Sequence, residues 1–184
     1  MVVICVQIAH DTRILRNKKL ILGKIMAENS VIQLDAVDRN ILHMLQMDSS
    51  LTNVELSDRI GLSPTPCLRR VRRLENEGII SRYRAEVDRK KLGYPIMAFV
   101  QITLNTQVDS ALEIVEQAVR ERPEIINCYL VTGDCDYMLQ VVVKDLDGYA
   151  DFMRSHLTKI SAIRNIKSSF ALEKIVEGRP IPVQ

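Results

Sequence analysis

A chain of 184 residues is long enough for two small domains with a core each, and 47% hydrophobic against 26% charged residues excludes both a disordered polymer and a fibrous repeat. The net charge is only +2, but it divides unevenly: residues 1–91 hold 16 Lys and Arg against 11 Asp and Glu, and residues 92–184 hold 9 against 12. A basic half joined to an acidic half points to a polyanion as the partner of the first half alone.

No apolar run nears the roughly 20 residues that a membrane-spanning helix needs, so no membrane partner is expected. The opening Met1–Val6 run lacks a basic flank and a small-residue cleavage site, which is not the pattern of a signal peptide. Cys5, Cys67, Cys128 and Cys135 have no metal-ligand spacing, and His10, His43 and His156 are scattered. Reduced thiols in a cytoplasmic protein, with no metal and no cofactor, are the expectation. Residues 1–33 carry neither a repeat nor a capped helix and read as an N-terminal extension. Met26 is a candidate start, which makes residues 1–25 an upstream extension of the reading frame; a native peptide mapping inside 1–25 rules that out.

Order begins at Leu34. From Asp35 to Asp48, Val37, Ile41, Leu42 and Leu45 recur at helical spacing. Thr52 and Glu55 form a capping box for a second helix, with Leu51 at the staple position, Leu56 and Ile60 on the buried side, and Gly61 as the stop. The third helix takes Ser63 as its N-cap, Pro64 at N1 and Pro66 at N3, and stops at Gly78. At 100° per residue Cys67, Leu68, Val71 and Leu74 share an apolar side. Pro66, Arg69 and Arg73 point nearly opposite, flanked by Thr65, Arg70 and Arg72. Two short helices joined by a tight Gly turn, the second with a basic outer face, spell a helix-turn-helix over 34–78. Such a helix fits the major groove of double-stranded DNA, its first-turn N–H groups suit phosphate, and Arg suits guanine or phosphate. Ser63, Thr65, Pro66, Arg69, Arg70, Arg72 and Arg73 are the expected DNA-binding residues.

Ile79–Val87 mixes β-branched and aromatic residues and predicts a strand, with Arg82 and Arg84 on one face; 79–95 reads as strand and linker, turning at Asp88–Gly93. Beyond it the pattern predicts strand Ile96–Leu104, helix Ser110–Arg122 stopped by Pro123, strand Ile125–Val131, a turn, strand Tyr137–Val143, helix Asp147–Leu157 and strand Ile163–Ile175. This β-α-β-β-α-β order predicts a ferredoxin-like domain over 96–177, followed by a tail at 178–184. The fold class is therefore α+β, a winged helix-turn-helix plus a ferredoxin-like βαββαβ domain. A sheet with both helices on one face leaves the other face to be covered, for which Phe99, Tyr129 and Phe170 are candidates against a second copy. No nucleophile–base pair emerges, so no enzyme is expected. On residues alone, Gly133-Asp134-Cys135-Asp136-Tyr137 is a hairpin turn.

Taken together, Leu34-Asp35, Asp38-Arg39-Asn40-Ile41-Leu42, Asn53-Val54-Glu55-Leu56, Gly61–Cys67, Arg70–Glu75 and Gly133-Asp134-Cys135-Asp136-Tyr137 resemble the leucine-responsive and asparagine-related regulators, the Lrp/AsnC family. The match runs from Leu34 to about Glu177. The resemblance implies a bacterial or archaeal regulator that binds DNA as a homodimer or higher assembly, often an octamer. It also implies a C-terminal ligand-sensing domain whose effector is an amino acid held between subunits. Carried onto this chain, the effector residues are Gly133, Asp134, Asp136 and Tyr137, with Ser168 and Ser169 facing them. The leucine-responsive type tends to carry an aromatic residue in the last strand where this chain has Ser169, with Phe170 next along. A ligand-independent architectural DNA-binding protein is the alternative, which makes the Gly133–Tyr137 turn purely structural.

Overall fold

A computed structural model describes residues 32–183, and the expectations for residues 1–25 and Met26 lie outside them. The chain forms two compact units, one built on residues 30–87 with 174–184 and the other on 88–173.

In the first unit, α1 spans Ala36–Met47, α2 Asn53–Ile60 and α3 Pro64–Asn76. Helix α1 starts on a capping box made of two aspartates: Asp38 N–H donates to Asp35 Oδ1 (2.8 Å) and Asp35 N–H to Asp38 Oδ2 (3.2 Å). Helix α2 uses Thr52 and Glu55 in the same way and ends at Gly61, whose φ of 71° favours a residue without Cβ. Ile41, Leu42, Leu56, Cys67 and Leu74 form the core. Leu68 is a correction: it is 38% exposed, because it sits a full 100° round the helix from Cys67, at the edge of the apolar stripe.

The predicted strand Ile79–Val87 is not formed. Ile79 and Ile80 pack on the helical core instead, and no segment among the described residues pairs with 81–87, which therefore has no ladder. Tyr83 is tied back to α3 by its hydroxyl, which donates to Glu75 Oε1 (2.9 Å); burial pushes that phenol up to about 12.

The C-terminal segment returns to this unit. The Gln46 side chain from α1 brackets Ile181, accepting from its N–H (2.7 Å) and donating to its carbonyl (3.2 Å), while Val183 packs on the core. Deleting residues 174–184 is expected to destabilise the helical unit by about 2–3 kcal/mol, about half from uncovering Val183 and half from the two hydrogen bonds. Calorimetry of the full and truncated chains checks this, and an unchanged transition contradicts it.

The second unit is a four-stranded antiparallel sheet of order β2-β3-β1-β4, with β1 Ile96–Leu104, β2 Ile125–Leu130, β3 Tyr137–Val143 and β4 Ile163–Phe170. Helix α4 (Asp109–Arg120) follows β1, and α5 (Leu146–Ser155) with a tight turn at Leu157–Lys159 follows β3. The βαββαβ order is as predicted. Helix α4 stops at Arg120 rather than Arg122, since the residue before Pro123 is disfavoured in helical conformation. Strand β4 ends at Phe170 rather than Ile175. Its last bond to β1 is Ala171 N–H to the Met97 carbonyl, and Pro95 beyond offers no N–H.

Alternation places Ala98, Val100, Ile102, Leu104, Tyr137, Leu139, Val141 and Val143 on the face covered by Val115, Val119, Tyr149, Phe152 and Leu157. The opposite face carries Phe99, 40% exposed, and Tyr129, 56% exposed and paired with Met138. Phe170 does not join them. It pairs with Ala98, so it lies on the helix side, where its ring meets Tyr149 edge-on at 5.0 Å.

Candidate nucleic-acid interface and effector site

Helix α3 presents an exposed stripe of Thr65, Arg69, Arg72 and Asn76, at spacings of four, three and four residues. Arg69 and Arg72 make no ion pair or hydrogen bond with the described residues. Two guanidiniums expected on this surface are engaged elsewhere. Arg70 Nη1 donates to Asp35 Oδ2 (2.6 Å) and to Asp38 Oδ1 (2.8 Å), and Arg73 Nη2 donates to Asp38 Oδ2. The Asp38 side chain is 1% exposed, so both arginines converge on a carboxylate sealed between α1 and α3. Arg73 also lies 3.9 Å from Glu77. Of the four arginines expected outward, Arg69, Arg72 and Arg73 are exposed and Arg70 is half-buried, and two of the four, Arg70 and Arg73, are paired with carboxylates of the chain. Arg70 lies three residues beyond the buried Cys67, and Arg73 one before the buried Leu74, which turns both toward α1.

The start of α3 also differs from expectation. Ser63 occupies the N-cap, but its hydroxyl makes no capping bond. Pro66, at N3, has no N–H to donate to an N-cap oxygen, and Pro64 has none at N1, which leaves Thr65 at N2 as the one capping donor. Cys67 N–H is taken by the Ser63 carbonyl (3.2 Å). Of the first-turn donors, only the Thr65 N–H remains for a phosphate, so α3 offers a narrower anion site than a helix start without prolines.

Backbone donation from Asp38, followed by the Arg70 guanidinium, holds the Asp35 carboxyl down at about 2, against an ordinary value of 3.8. A depressed carboxylate stabilises the fold above its unfolded pKa, and that contribution is lost as pH falls from about 4 toward 2. Melting curves of the helical unit are expected to weaken through that window, and Asp35→Asn to flatten this limb. A limb unchanged in Asp35→Asn contradicts the assignment.

The predicted effector residues separate into two groups. Gly133 (φ 123°) and Asp134 are exposed at the β2–β3 hairpin, and Ser169 faces away from the helices, paired with Phe99. The polar atoms of the other three are used within the chain. Asp136 is 5% exposed: its Oδ2 accepts from Leu104 N–H (2.8 Å), and its Oδ1 accepts from the Gln107 amide. Tyr137 is 2% exposed, donates to Glu116 Oε1 (3.3 Å), and burial pushes its phenol well above the ordinary range. The Ser168 hydroxyl receives the Tyr149 hydroxyl proton. Strand β1 lies between the hairpin strand β3 and the serine-bearing strand β4, so one chain does not bring the two groups together side by side. Two participants escaped the sequence reading. Gln107 and Glu116 have no local motif, and only the fold brings them to Asp136 and Tyr137.

Among the described residues no helix is long and apolar enough to cross a membrane, and no group of three His, Cys, Asp or Glu is placed to hold a metal.

Comparison with known proteins adds to this geometry. Residues 34–81 match the model for winged helix-turn-helix DNA-binding domains, and residues 97–181 match that of the Lrp/AsnC ligand binding domain. The leucine-responsive regulatory protein of Escherichia coli K12 is 39% identical over 151 residues, which is 82% of this chain and 92% of that protein. Among solved structures, a transcriptional regulator from Neisseria meningitidis in complex with L-Met is similar with a TM-score of 0.78 and 35% identity, covering 82% of this chain and 97% of that one. An AsnC family transcriptional regulator from Agrobacterium tumefaciens gives 0.76 and 38%, covering 81% and 97%.

Proposed function

The chain belongs to the Lrp/AsnC family of DNA-binding transcription regulators, and from that premise we propose that it is a cytoplasmic, sequence-specific regulator of amino-acid metabolism. Its assembly, as a homodimer or a larger oligomer such as an octamer, responds to an amino-acid effector, leucine or another. It is not an enzyme. The observation that carries the reading is the exposed Thr65–Arg69–Arg72–Asn76 stripe on α3, with two guanidiniums that pair with no carboxylate among the described residues. A helix so equipped reads base edges with Arg and sets register on phosphate. Self-association is supported by the helix-free sheet face, which exposes Phe99 and Tyr129. An effector acts only by binding one assembly better than another.

The inward use of Asp136, Tyr137 and Ser168 favours a second reading, a ligand-independent architectural protein, because fewer polar groups remain for an ammonium or a carboxylate. Light scattering and operator titrations with each of the twenty amino acids separate the two. A shift in assembly or operator affinity with at least one amino acid supports the sensor; no change with any of them leaves the architectural reading.

A further inference from the structure

We infer that Asp38 is a positioning residue that sets DNA specificity by withholding Arg70 and Arg73 from the nucleic acid. This inference rests on the DNA-binding role of α3 and deepens it. Four arginines lie within five residues of one helix, and four free guanidiniums would grip any phosphate backbone, because that attraction carries no sequence information. The fold removes half of that charge. Both Asp38 oxygens are occupied, Oδ1 by Arg70 and Oδ2 by Arg73, and Arg70 also holds Asp35. Two carboxylates thus meet two guanidiniums. The cluster presents no net positive charge, while Arg69 and Arg72 stay outside it.

The burial of Asp38 makes this withholding durable. At 1% exposure, Asp38 has no water to replace a departing arginine, so a phosphate competing for Arg70 or Arg73 must leave a sealed carboxylate unpaired. An exposed partner would let go readily. The same contacts fix the roll of α3 about its axis against α1, because Arg70 and Arg73, three residues apart, are pinned to one point. That roll decides that the Arg69 and Arg72 edge faces outward. Asp38 therefore acts twice, orienting the reading edge and subtracting unspecific charge.

The test uses the intact protein, an operator selected from random duplexes, and an unrelated duplex, titrated across a salt series. Asp38→Asn frees the guanidiniums with little change of shape. Its salt slope on unrelated DNA is expected to steepen by about one to two units, since each phosphate newly neutralised adds about 0.9. Its operator-to-unrelated affinity ratio is expected to fall at least about tenfold. Adding Arg70→Gln and Arg73→Gln to that variant is expected to return the slope to the wild-type value. A purely structural Asp38 would weaken both duplexes alike at an unchanged slope, which overturns the inference. Should Asp38→Asn not fold, Arg70→Gln/Arg73→Gln in the otherwise wild-type chain decides the matter: a slope shallower by about two units means that both arginines already touch phosphate, and overturns it, whereas an unchanged slope supports it. Wild type is the control for the underlying reading. If it shows no operator preference, that reading and this inference fall together; if it prefers the operator while Asp38→Asn keeps its slope, this inference alone fails.

Discussion

Replacing Arg69 and Arg72 by alanine is expected to abolish operator preference while leaving the chain folded. Each guanidinium that reads a base contributes about 1–3 kcal/mol of discrimination, and each that meets phosphate contributes about one unit of salt slope. Among the described residues neither side chain supports the core or an ion pair, so the thermal transition should not move. Gel-shift titrations across a salt series, paired with calorimetry, read both quantities. A double variant that binds operator as wild type does would mean that the Thr65–Arg69–Arg72–Asn76 edge is not the reading surface.

The second large effect concerns Asp136, expected from the resemblance to meet an effector, whose two carboxylate oxygens both accept hydrogen bonds within the chain. Asp136→Ala leaves the Leu104 N–H buried without an acceptor and frees the Gln107 amide, at the end of β1. A buried unsatisfied donor costs about 1–3 kcal/mol, and a hydrogen bond to a charged acceptor is at the strong end of that scale. The expected loss for Asp136→Ala is about 3 kcal/mol in the stability of the sheet unit. Asp136→Asn keeps one acceptor oxygen and is expected to recover part of that loss. Chemical denaturation followed in the sheet unit measures both. An Asp136→Ala variant as stable as wild type, yet deaf to amino acids, would return this carboxylate to the effector.

Much of the helical unit was legible residue by residue. Thr52 and Glu55 form the capping box that their spacing announces, Gly61 takes the positive φ of a helix stop, and both prolines sit in the first turn of α3. Strand alternation located the covered face of the sheet through Ala98, Val100 and Ile102, and it separated Ser169 from Phe170. What was not legible depends on partners distant in sequence. Asp38 lies 32 residues from Arg70 and 35 from Arg73, and periodicity within α3 alone could not show which arginines those carboxylates would take. Residues 79–87 carry strand-forming side chains, but a strand exists only where another chain segment supplies the ladder. Asp136 and Tyr137 fit a turn motif, but whether their polar ends face solvent or the interior depends on Gln107 and Glu116, which no local pattern couples to them. The return of Lys174–Val183 to α1 rests on the single side chain of Gln46 and on Val183, a signal too sparse to read as an element.

The direct measurement is selection of duplexes from a random pool by the intact protein, followed by competition between the best selected sequence and unrelated DNA at physiological salt. A surface that reads bases through Arg69 and Arg72 should recover one recurrent motif and hold it at least about a thousandfold more tightly than unrelated duplex. A selected pool with no shared motif, bound no better than the starting library, would contradict it.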